Sequence, residues 1–401
     1  MLYILYCRAY QNALRLTSNF LPWREPELID GVNSVEKLPD VIKNKTKINR
    51  ILIVTDENLT SLGLMNNFLA ELGSEDIKYY IYDNFFYDPA IENIEEGVQC
   101  YKENKCQGIV AFGGGSPIDC AKGIAARIAR PEKNLIEMEG LLKVRKKTPP
   151  IFAVPTTTGT GSEATVSAVI KDNKNSRKLF INDIPLIPDY AVHDPALTVS
   201  LPQEITAYTG MDALTHAVEA YINKYNTERT RRFSEKAVNL IFANLEKAYD
   251  DGEDLQAREN MLKASYYAGL AFTRAYVGYC HAMAHALGGL YDMNHGRVNG
   301  IILPYLLKYY GESVYEPLAK LADKIPFIDE NIDVKAKAQK FIGRVEQLQE
   351  KLNLNSKLNF IEDKDLPILV KNTYNGANPL YPVPKIMNRK DLENLFQLVS
   401  E

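Results

Sequence analysis

Short β-branched segments alternate with helical segments between about residue 50 and residue 200, and this alternation limits the folds that the chain can adopt. Amphipathic stretches such as 91–103 and 117–128 separate the β-branched segments. The pattern predicts a parallel sheet covered by helices on both faces. Such sheets bind ligands at the carboxyl ends of their strands, so we expect a binding site at that edge. The predicted strands are 51–54, 79–82, 108–112, 151–154 and 190–193.

The pattern changes after Pro202, where long segments have helical periodicity and few β-branched clusters. Asp194-Pro195 and Leu201-Pro202 interrupt the chain just before this change. We therefore expect an α/β domain over residues 1–199 and a helical domain over residues 200–401. The first seven residues, M-L-Y-I-L-Y-C, are read as an N-terminal strand whose edge could pair between subunits. The predicted helices of the second domain include 204–223, 230–249, 255–270 and 334–352.

Composition excludes several classes of protein. The chain has 401 residues, 46% hydrophobic and 24% charged, with a net charge of −4, as in an ordinary globular protein. The one compact basic run, 143–147, is too short to indicate nucleic acid or an anionic membrane as a partner. Apolar runs stay well short of the ~18 residues that span a bilayer, and no secretory signal is recognisable. Five scattered cysteines fit a reduced protein, so we expect a cytoplasmic location.

Histidine placement points to a metal. The chain has five histidines, and four of them fall in D-A-L-T-H and H-A-M-A-H-A-L-G-G-L-Y-D-M-N-H. Asp212 with His216, and His281 with His285, are spaced i,i+4, which puts each pair on one helical face. Imidazole and carboxylate ligands suit iron(II), zinc or another divalent first-row metal. A lone histidine is more often structural, and His193 is interpreted in that way.

Two small-residue loops follow predicted strands. In G-G-G-S-P-I-D, Ser116 fits the N-cap of a helix, with Pro117 at its first position and Asp119 at its third. The free N–H groups of such a helix end can bind a phosphate, although a capped glycine turn is the plainer alternative. P-T-T-T-G-T-G-S-E is the second loop, and the two together favour a nucleotide. Asp56 ends another strand, either as a helix cap or as a carboxylate for the ribose of NAD.

The combination of motifs resembles the iron-containing (group III) alcohol dehydrogenase family over nearly the whole chain. The motifs include G-G-G-S-P-I-D, P-T-T-T-G-T-G-S-E, T-G-M-D-A-L-T-H-A-V-E-A-Y, H-A-M-A-H-A-L-G-G and N-P-L-Y-P-V-P. The resemblance implies a dehydroquinate synthase-like fold, with an N-terminal nucleotide-binding α/β domain, an all-α metal-binding domain and the active site between them. It implies a homo-oligomer, at least a dimer.

By position, the resemblance also implies the residues of the site. The metal ligands would be Asp212, His216, His281 and His295, with iron(II) favoured and zinc compatible. His285 would stay unligated near the nicotinamide and the substrate, as a catalytic proton relay. NAD is expected rather than NADP. The implied cofactor contacts are Asp56, Gly114, Gly115, Ser116, Asp119, Thr156, Thr157, Thr160 and Lys178.

Some positions depart from the family pattern. Asp88-Pro89 stands where the family often has Asn-Pro, and Asn294 precedes the last implied ligand in place of proline. Arg274 and Tyr276 stand where the family tends to have asparagine and a smaller residue. These last two precede the helix of His281, so we expect them to reshape the substrate pocket.

The implied function is a metal-dependent, NAD-linked alcohol dehydrogenase or aldehyde reductase that acts on short-chain alcohols, diols or aldehydes. The metal would act as a Lewis acid and the nicotinamide would carry the hydride. Alternatives on the same fold are a glycerol dehydrogenase and a dehydroquinate synthase-like lyase. A metal-dependent hydrolase and a non-catalytic nucleotide-binding sensor are alternatives from other classes. No nucleic acid and no membrane is expected among the partners.

Overall fold

The chain forms two compact units. A computed structural model describes residues 2–85, 88–175, 177–291, 293–325, 332–354 and 357–400. One unit is Pro22–Ser200, and the other combines Met1–Leu21 with Leu201–Glu401. The second segment therefore begins one residue after the expected start of the helical domain. The first 21 residues belong with the helical unit, and not with the α/β unit as the 1–199 assignment expected.

A parallel sheet forms the centre of the α/β unit. Its order within the described residues is β1-β9-β6-β4-β2-β3, and every pairing in it is parallel. The predicted parallel sheet is confirmed, with one edge strand that the sequence analysis did not identify. The six strands are β1 (Glu27–Asp30), β2 (Arg50–Val54), β3 (Lys78–Tyr82), β4 (Gly108–Gly113), β6 (Ile151–Pro155) and β9 (Tyr190–His193).

Alternating side chains of the central strands supply two cores, one on each face of the sheet. Ile109 and Ala111 of β4 pack in one hydrophobic cluster, whereas Val110 and Phe112 pack in the other. Every residue of β4 is buried, which explains its continuous apolar run. The covering helices are α2 (Leu38–Asp40), α3 (Glu57–Ser61), α4 (Asn66–Ser74), α5 (Ile91–Glu103) and α6 (Gly115–Ala129).

A second, smaller sheet was not predicted. Its order is β5-β8-β7, from β5 (Gly140–Leu141), β7 (Ser167–Asp172) and β8 (Arg177–Asn182), with β7 and β8 antiparallel. Side chains of β7 alternate between buried and partly exposed, because one face covers α6 and the other faces solvent. The segment that leads into β7, residues 162–167, packs against α6.

Helices form all of the regular structure in the second unit that the described residues contain. They are α1 (Leu2–Ser18), α7 (Gln203–Ile222), α8 (Glu228–Asp250), α9 (Leu255–Ala275), α10 (Tyr279–Tyr291), α11 (His295–Tyr310), α12 (Glu312–Ala322), α13 (Val334–Lys351), α14 (Leu366–Ala377) and α15 (Arg389–Ser400). Residues 210–222 of α7 are buried on every side. Helix α7 therefore runs through the centre of this unit, and its polar residues must find partners there.

The N-terminal strand prediction is wrong, because residues 2–18 are helix α1. A short apolar run fits strand and helix equally, and tertiary contacts decide between them. Arg8 donates hydrogen bonds to the carbonyls of Val383 and Pro384, and Gln11 donates to those of Pro379 and Tyr381. These side chains supply hydrogen-bond donors to the backbone carbonyls of a proline-rich segment, which has few N–H groups of its own. Because this segment is a helix, it has no strand edge through which two subunits could pair as suggested.

Among the described residues, no helix is both long enough and apolar enough to cross a bilayer.

Candidate active site

Helices α7 and α10 bring three ligand-type side chains together in the helical unit. Asp212 and His216 lie one turn apart on α7, and His281 lies in the first turn of α10. Their ligand atoms all lie within 4.8 Å of one another, and all three side chains are buried. Nε2 of His281 is 3.7 Å from Oδ1 of Asp212, and Nδ1 of His216 is 3.9 Å from Oδ2. The i,i+4 spacing places Asp212 beside His216 as expected from the sequence, and His281 joins them from a second helix.

Glu219 fixes the orientation of the His281 ring. Its Oε2 lies 2.6 Å from Nδ1 of His281. The two carboxylate oxygens also accept hydrogen bonds of 2.8 Å from the backbone N–H groups of Gly278 and Cys280, so the carboxylate is held on three sides. A carboxylate on Nδ1 keeps the proton there and leaves the lone pair on Nε2. That Nε2 atom has no hydrogen-bond partner among the described residues and points toward Asp212.

The three side chains fit a divalent cation. Burial raises the pKa of Asp212, against the opposing effects of His281 and of a hydrogen bond from Asn299. A cation between the carboxylate and the Nε2 lone pair would offset the cost of burying that charge. Two imidazoles and one carboxylate are a donor set for iron(II) or zinc, whereas calcium and magnesium prefer oxygen ligands.

His295 lies beside this cluster at the first turn of α11. Its Nε2 is 3.9 Å from Oδ1 of Asp212, and 3.0 Å from the amide nitrogen of Asn299. The same amide donates to Asp212 over 2.8 Å, so Asn299 bridges the two side chains. Asn294 caps α11 by accepting a hydrogen bond from the N–H of Arg297. This cap accounts for asparagine at the position where the family has proline. A role for His295 as the fourth ligand stays a prediction.

His285 lies one turn after His281 on α10, outside the cluster of three. Its ring stacks on that of His295 with centroids 4.9 Å apart and an interplanar angle of 7°. The ring of His281 is 6.1 Å away. His285 is half-buried, whereas His281 is fully buried. The imidazole therefore lies between the buried cluster and the more exposed side of α10.

Replacing Glu219 by glutamine is expected to weaken metal binding by about 10- to 100-fold, because His281 loses the carboxylate that holds its tautomer and ring. Competition with a chelator measures this affinity. Glu246 of α8 forms an exposed ion pair with Lys351, so Glu246→Gln is the matched control and should leave the affinity unchanged. Equal metal affinity in Glu219→Gln and the control would contradict a supporting role for Glu219.

The two small-residue loops lie side by side in the α/β unit, because they follow the paired strands β4 and β6. The N–H of Thr156 donates to the carbonyl of Gly113 over 3.0 Å. A Cβ on Gly115 would lie 2.7 Å from Cγ2 of Thr160, and one on Gly114 would lie 3.2 Å from Cγ2 of Thr157. The absence of side chains at these glycines is therefore what allows the loops to touch.

The start of α6 differs from the prediction by two residues. Gly114 is the N-cap and Gly115 the first helical residue, so Ser116 and Asp119 do not occupy the predicted N-cap and third positions. Gly113 has φ +148°, a conformation that only glycine adopts easily, which lets the helix begin earlier. No side chain in the described structure caps this end. Its backbone N–H groups suit a phosphate.

Asp119 and Lys122 tie α6 to the loop that enters the smaller sheet. Asp119 accepts hydrogen bonds from the Ser162 hydroxyl and the Val169 N–H, over 2.6 and 3.1 Å. The ammonium of Lys122 is fully buried and lies 2.6–3.0 Å from five oxygens of residues 162–167. Burial lowers the pKa of Lys122 to about 8, against the charges of Asp119 and Glu163, so the side chain is protonated at neutral pH. These contacts hold the second loop against α6.

Asp56 and Lys178, the other predicted cofactor contacts, have protein partners. Asp56 is the N-cap of α3, and its Oδ1 accepts a hydrogen bond of 3.1 Å from the N–H of Leu59. Burial raises the pKa of Asp56. Lys178 on β8 forms an ion pair with Asp88, where the family often has asparagine. The capping alternative for Asp56 is thus confirmed, and cofactor contacts of both residues stay predictions.

Sequence reasoning missed three supporting residues: Glu219, Asn299 and Lys122. Glu219 lies seven residues after Asp212, and Asn299 lies four after His295, so helical spacing from the candidate ligands could have identified both. Lys122 follows Asp119 by three residues on α6, in a stretch of mostly small and apolar residues. A lysine in such a helix usually extends to solvent, so nothing in the sequence marks this one as buried.

Comparisons with known proteins agree with these observations. The family model described as iron-containing alcohol dehydrogenase matches residues 26–195, and the C-terminal model of the same family matches residues 206–399. The 1,3-propanediol dehydrogenase of Citrobacter freundii is 36% identical over 355 residues, which cover 87% of this chain and 90% of that protein. The NAD-dependent methanol dehydrogenase of Bacillus methanolicus is 33% identical over 361 residues, which cover 90% of this chain and 93% of that protein.

The fold of a solved relative agrees as well. The crystal structure of a 1,3-propanediol oxidoreductase superposes with a TM-score of 0.91 at 32% identity, covering 95% of this chain and all of that one. The α/β unit with its parallel sheet and the helical unit are therefore those of the predicted fold class. The chain belongs to the iron-containing alcohol dehydrogenase family and is an oxidoreductase that acts on alcohols.

Proposed function

We propose that the protein interconverts short-chain alcohols or diols and their aldehydes, with NAD as the hydride carrier and iron(II) at Asp212, His216 and His281. A buried carboxylate and two imidazoles converge within 4.8 Å, and Glu219 directs the Nε2 lone pair of His281 toward them. Zinc fits the same donors, and His295 is the proposed fourth ligand.

When bound, the metal supplies a Lewis acid that polarises the alcohol oxygen, and NAD supplies the hydride acceptor. The protein supplies position and charge. Asp212 contributes a negative charge in a site from which its neighbours exclude water, where electrostatic interactions are strong. Glu219 accepts the Nδ1 proton of His281 in a hydrogen bond and holds the ring in place, so the imidazole needs no rearrangement to act as a ligand.

His285 is the proposed relay for the hydroxyl proton. An imidazole can titrate near the working pH, and this one stacks on the His295 ring and lies 6.1 Å from the buried His281 ring, outside the ligand cluster. Replacing His285 by alanine is expected to lower turnover by about 100-fold while bound metal stays at the wild-type level. Steady-state kinetics with metal analysis of the same sample measure both. Parallel loss of metal and turnover would make His285 a ligand and contradict the relay.

NAD is proposed over NADP because Asp56 follows β2, where its carboxylate can accept from a ribose hydroxyl and repel a 2′-phosphate. The methanol dehydrogenase relative is NAD-dependent by name. Asp56→Ser keeps a side-chain cap for α3 but removes the charge. We expect this variant to lower the preference for NAD, as a ratio of kcat/KM values, by about 10-fold. An unchanged ratio would leave Asp56 with its capping role alone.

Substrates are proposed from the names of the relatives, a propanediol and a methanol dehydrogenase. A panel of methanol, ethanol, butanol, 1,3-propanediol and glycerol, with the matching aldehydes, tests the proposal through NADH formation or consumption. Turnover on short alcohols or diols supports it. Tight NADH binding without turnover on any member of the panel would contradict it.

We also propose that the protein works in a reducing compartment, the cytoplasm, as a homo-oligomer. All five cysteines are free thiols, and most of them are buried.

A further inference from the structure

Helix α1 is an addition to the part of the chain that the family models match, since the first of them begins at residue 26. It is nevertheless fixed to its unit. Arg8 and Gln11 donate four hydrogen bonds to carbonyls of residues 379–384, and the hydroxyl of Tyr225 donates to Asn12 over 2.9 Å. Cys7 and Gln11 are buried beneath the helix. The opposite face of α1 is therefore held in a defined position.

That opposite face is apolar. Leu2, Leu16 and the following Phe20 are 83%, 65% and 88% exposed. Positions 2, 5, 6, 9, 13 and 16 recur at the spacing of one helical face, and they are leucine, tyrosine or alanine. An apolar stripe normally faces the core, whereas this one faces solvent. The large exposed side chains of the stripe and the turn that follows it are Leu2, Leu5, Tyr6, Leu16 and Phe20.

The exposed area matches a protein interface in size. From their exposed fractions, these five side chains present on the order of 700 Å² of accessible surface, near the ~800 Å² per partner of a standard interface. Monomeric proteins rarely expose a contiguous apolar patch of this size. An unidentified partner is not required, because the pattern of the stripe is complementary to itself.

We propose that the exposed face of α1 binds the same face of a second copy of this chain, with the two helices antiparallel. In that register Leu2 of one copy packs against Leu16 of the other, Leu5 packs against Ala13, and Ala9 lies near the twofold axis. Bulky residues at the ends of the stripe then surround small ones at its centre, which lets the backbones approach. This inference does not depend on the catalytic proposal.

Charge favours a second copy over an anionic lipid surface. Positions 2, 5, 6, 9, 13 and 16 carry no charged side chain, so the twofold contact brings no like charges together. The arginines of α1 are engaged away from the stripe, Arg8 with two carbonyls and Arg15 over the ring of Tyr225, 5.5 Å from its centroid. Amphipathic helices that bind membranes typically carry Lys and Arg on the polar face, available to headgroups.

The test is the mass in solution of the full-length, metal-loaded protein by sedimentation equilibrium at micromolar concentration. The double variant Leu5→Glu/Leu16→Glu places four carboxylates in one interface, and we expect it to have half the wild-type mass. Its dissociation constant should rise by at least about 100-fold, with bound metal unchanged. Leu62→Glu is the matched control, because Leu62 is 61% exposed in the other unit, and this variant should keep the wild-type mass.

A monomeric wild type, or a double variant that keeps the wild-type mass, would overturn the inference. A monomer that sediments with phosphatidylcholine–phosphatidylglycerol vesicles would overturn it in favour of a lipid surface. If the double variant aggregates, Ala9→Cys decides under mild oxidation. A disulfide-linked dimer of Ala9→Cys, not formed by Leu62→Cys, supports the antiparallel contact, and its absence overturns it.

Discussion

Replacing His281 by alanine is expected to remove the bound metal and to lower kcat/KM for alcohol oxidation by at least about 10³-fold, or ~4 kcal/mol. The substitution deletes one of three converging ligand atoms. It also leaves the carboxylate of Glu219, now without the imidazole at 2.6 Å, buried beside Asp212. Elemental analysis of the purified protein and NADH absorbance measure the two effects on the same sample.

Cys280 offers a matched control for this variant. It is the residue before His281 on α10, it is fully buried, and its thiol donates to the carbonyl of Asn299 over 3.3 Å. Neighbouring helical side chains point about 100° apart, so Cys280 does not join the ligand cluster. Cys280→Ser should therefore keep its metal and most of its activity. Metal retained in His281→Ala, or lost in Cys280→Ser, would contradict the ligand assignment.

Replacing Lys122 by methionine is expected to destabilise the α/β unit by about 3–5 kcal/mol. The change keeps the apolar stem but removes the ammonium that five oxygens of residues 162–167 surround. Asp119 and the buried Glu163 would also lose the nearby positive charge. Buried acceptors without a donor and carboxylates without a cation are both costly. The first thermal transition should fall by roughly 10 °C, measured by calorimetry.

Lys146→Met serves as the control for Lys122→Met, because Lys146 is half exposed and forms a surface ion pair with Glu132. Its effect on stability should stay within about 0.5 kcal/mol. NAD affinity provides a second readout, since the loop that Lys122 holds includes Thr160 and packs on Gly115. An unchanged transition temperature in Lys122→Met would show that the buried contacts do not hold the two loops together.

Local pattern was sufficient to predict the sheet and the long helices. Strand β9 and helix α5 have the predicted bounds, and the apolar run of β4 is buried as parallel strands require. The pattern failed where tertiary contacts decide. M-L-Y-I-L-Y-C forms a helix because Arg8 and Gln11 satisfy carbonyls some 370 residues away, which no local signal reveals. The small sheet was missed because β5 has two residues and β7 is only half-buried.

In the candidate site, too, local pattern predicted some residues and tertiary packing decided the others. Helical spacing predicted that Asp212 lies beside His216, and the family resemblance implied His281 as a further ligand; the structure brings the three within 4.8 Å. The residues that hold them were not predicted, since Glu219 and Asn299 act through side-chain directions that depend on how α7, α10 and α11 pack. Lys122 is the extreme case, because a charge in a buried helix is stable only where several oxygens from another segment meet it.

We propose that one divalent ion at Asp212, His216 and His281 enables alcohol oxidation. Titrating metal-free protein with iron(II) under anaerobic conditions, while NADH formation from a short alcohol is followed, tests it most directly. We expect turnover to be negligible without metal, to rise in proportion to the iron added, and to level off at one ion per chain. Full turnover in protein shown by elemental analysis to be free of metal would contradict a catalytic role for the ion.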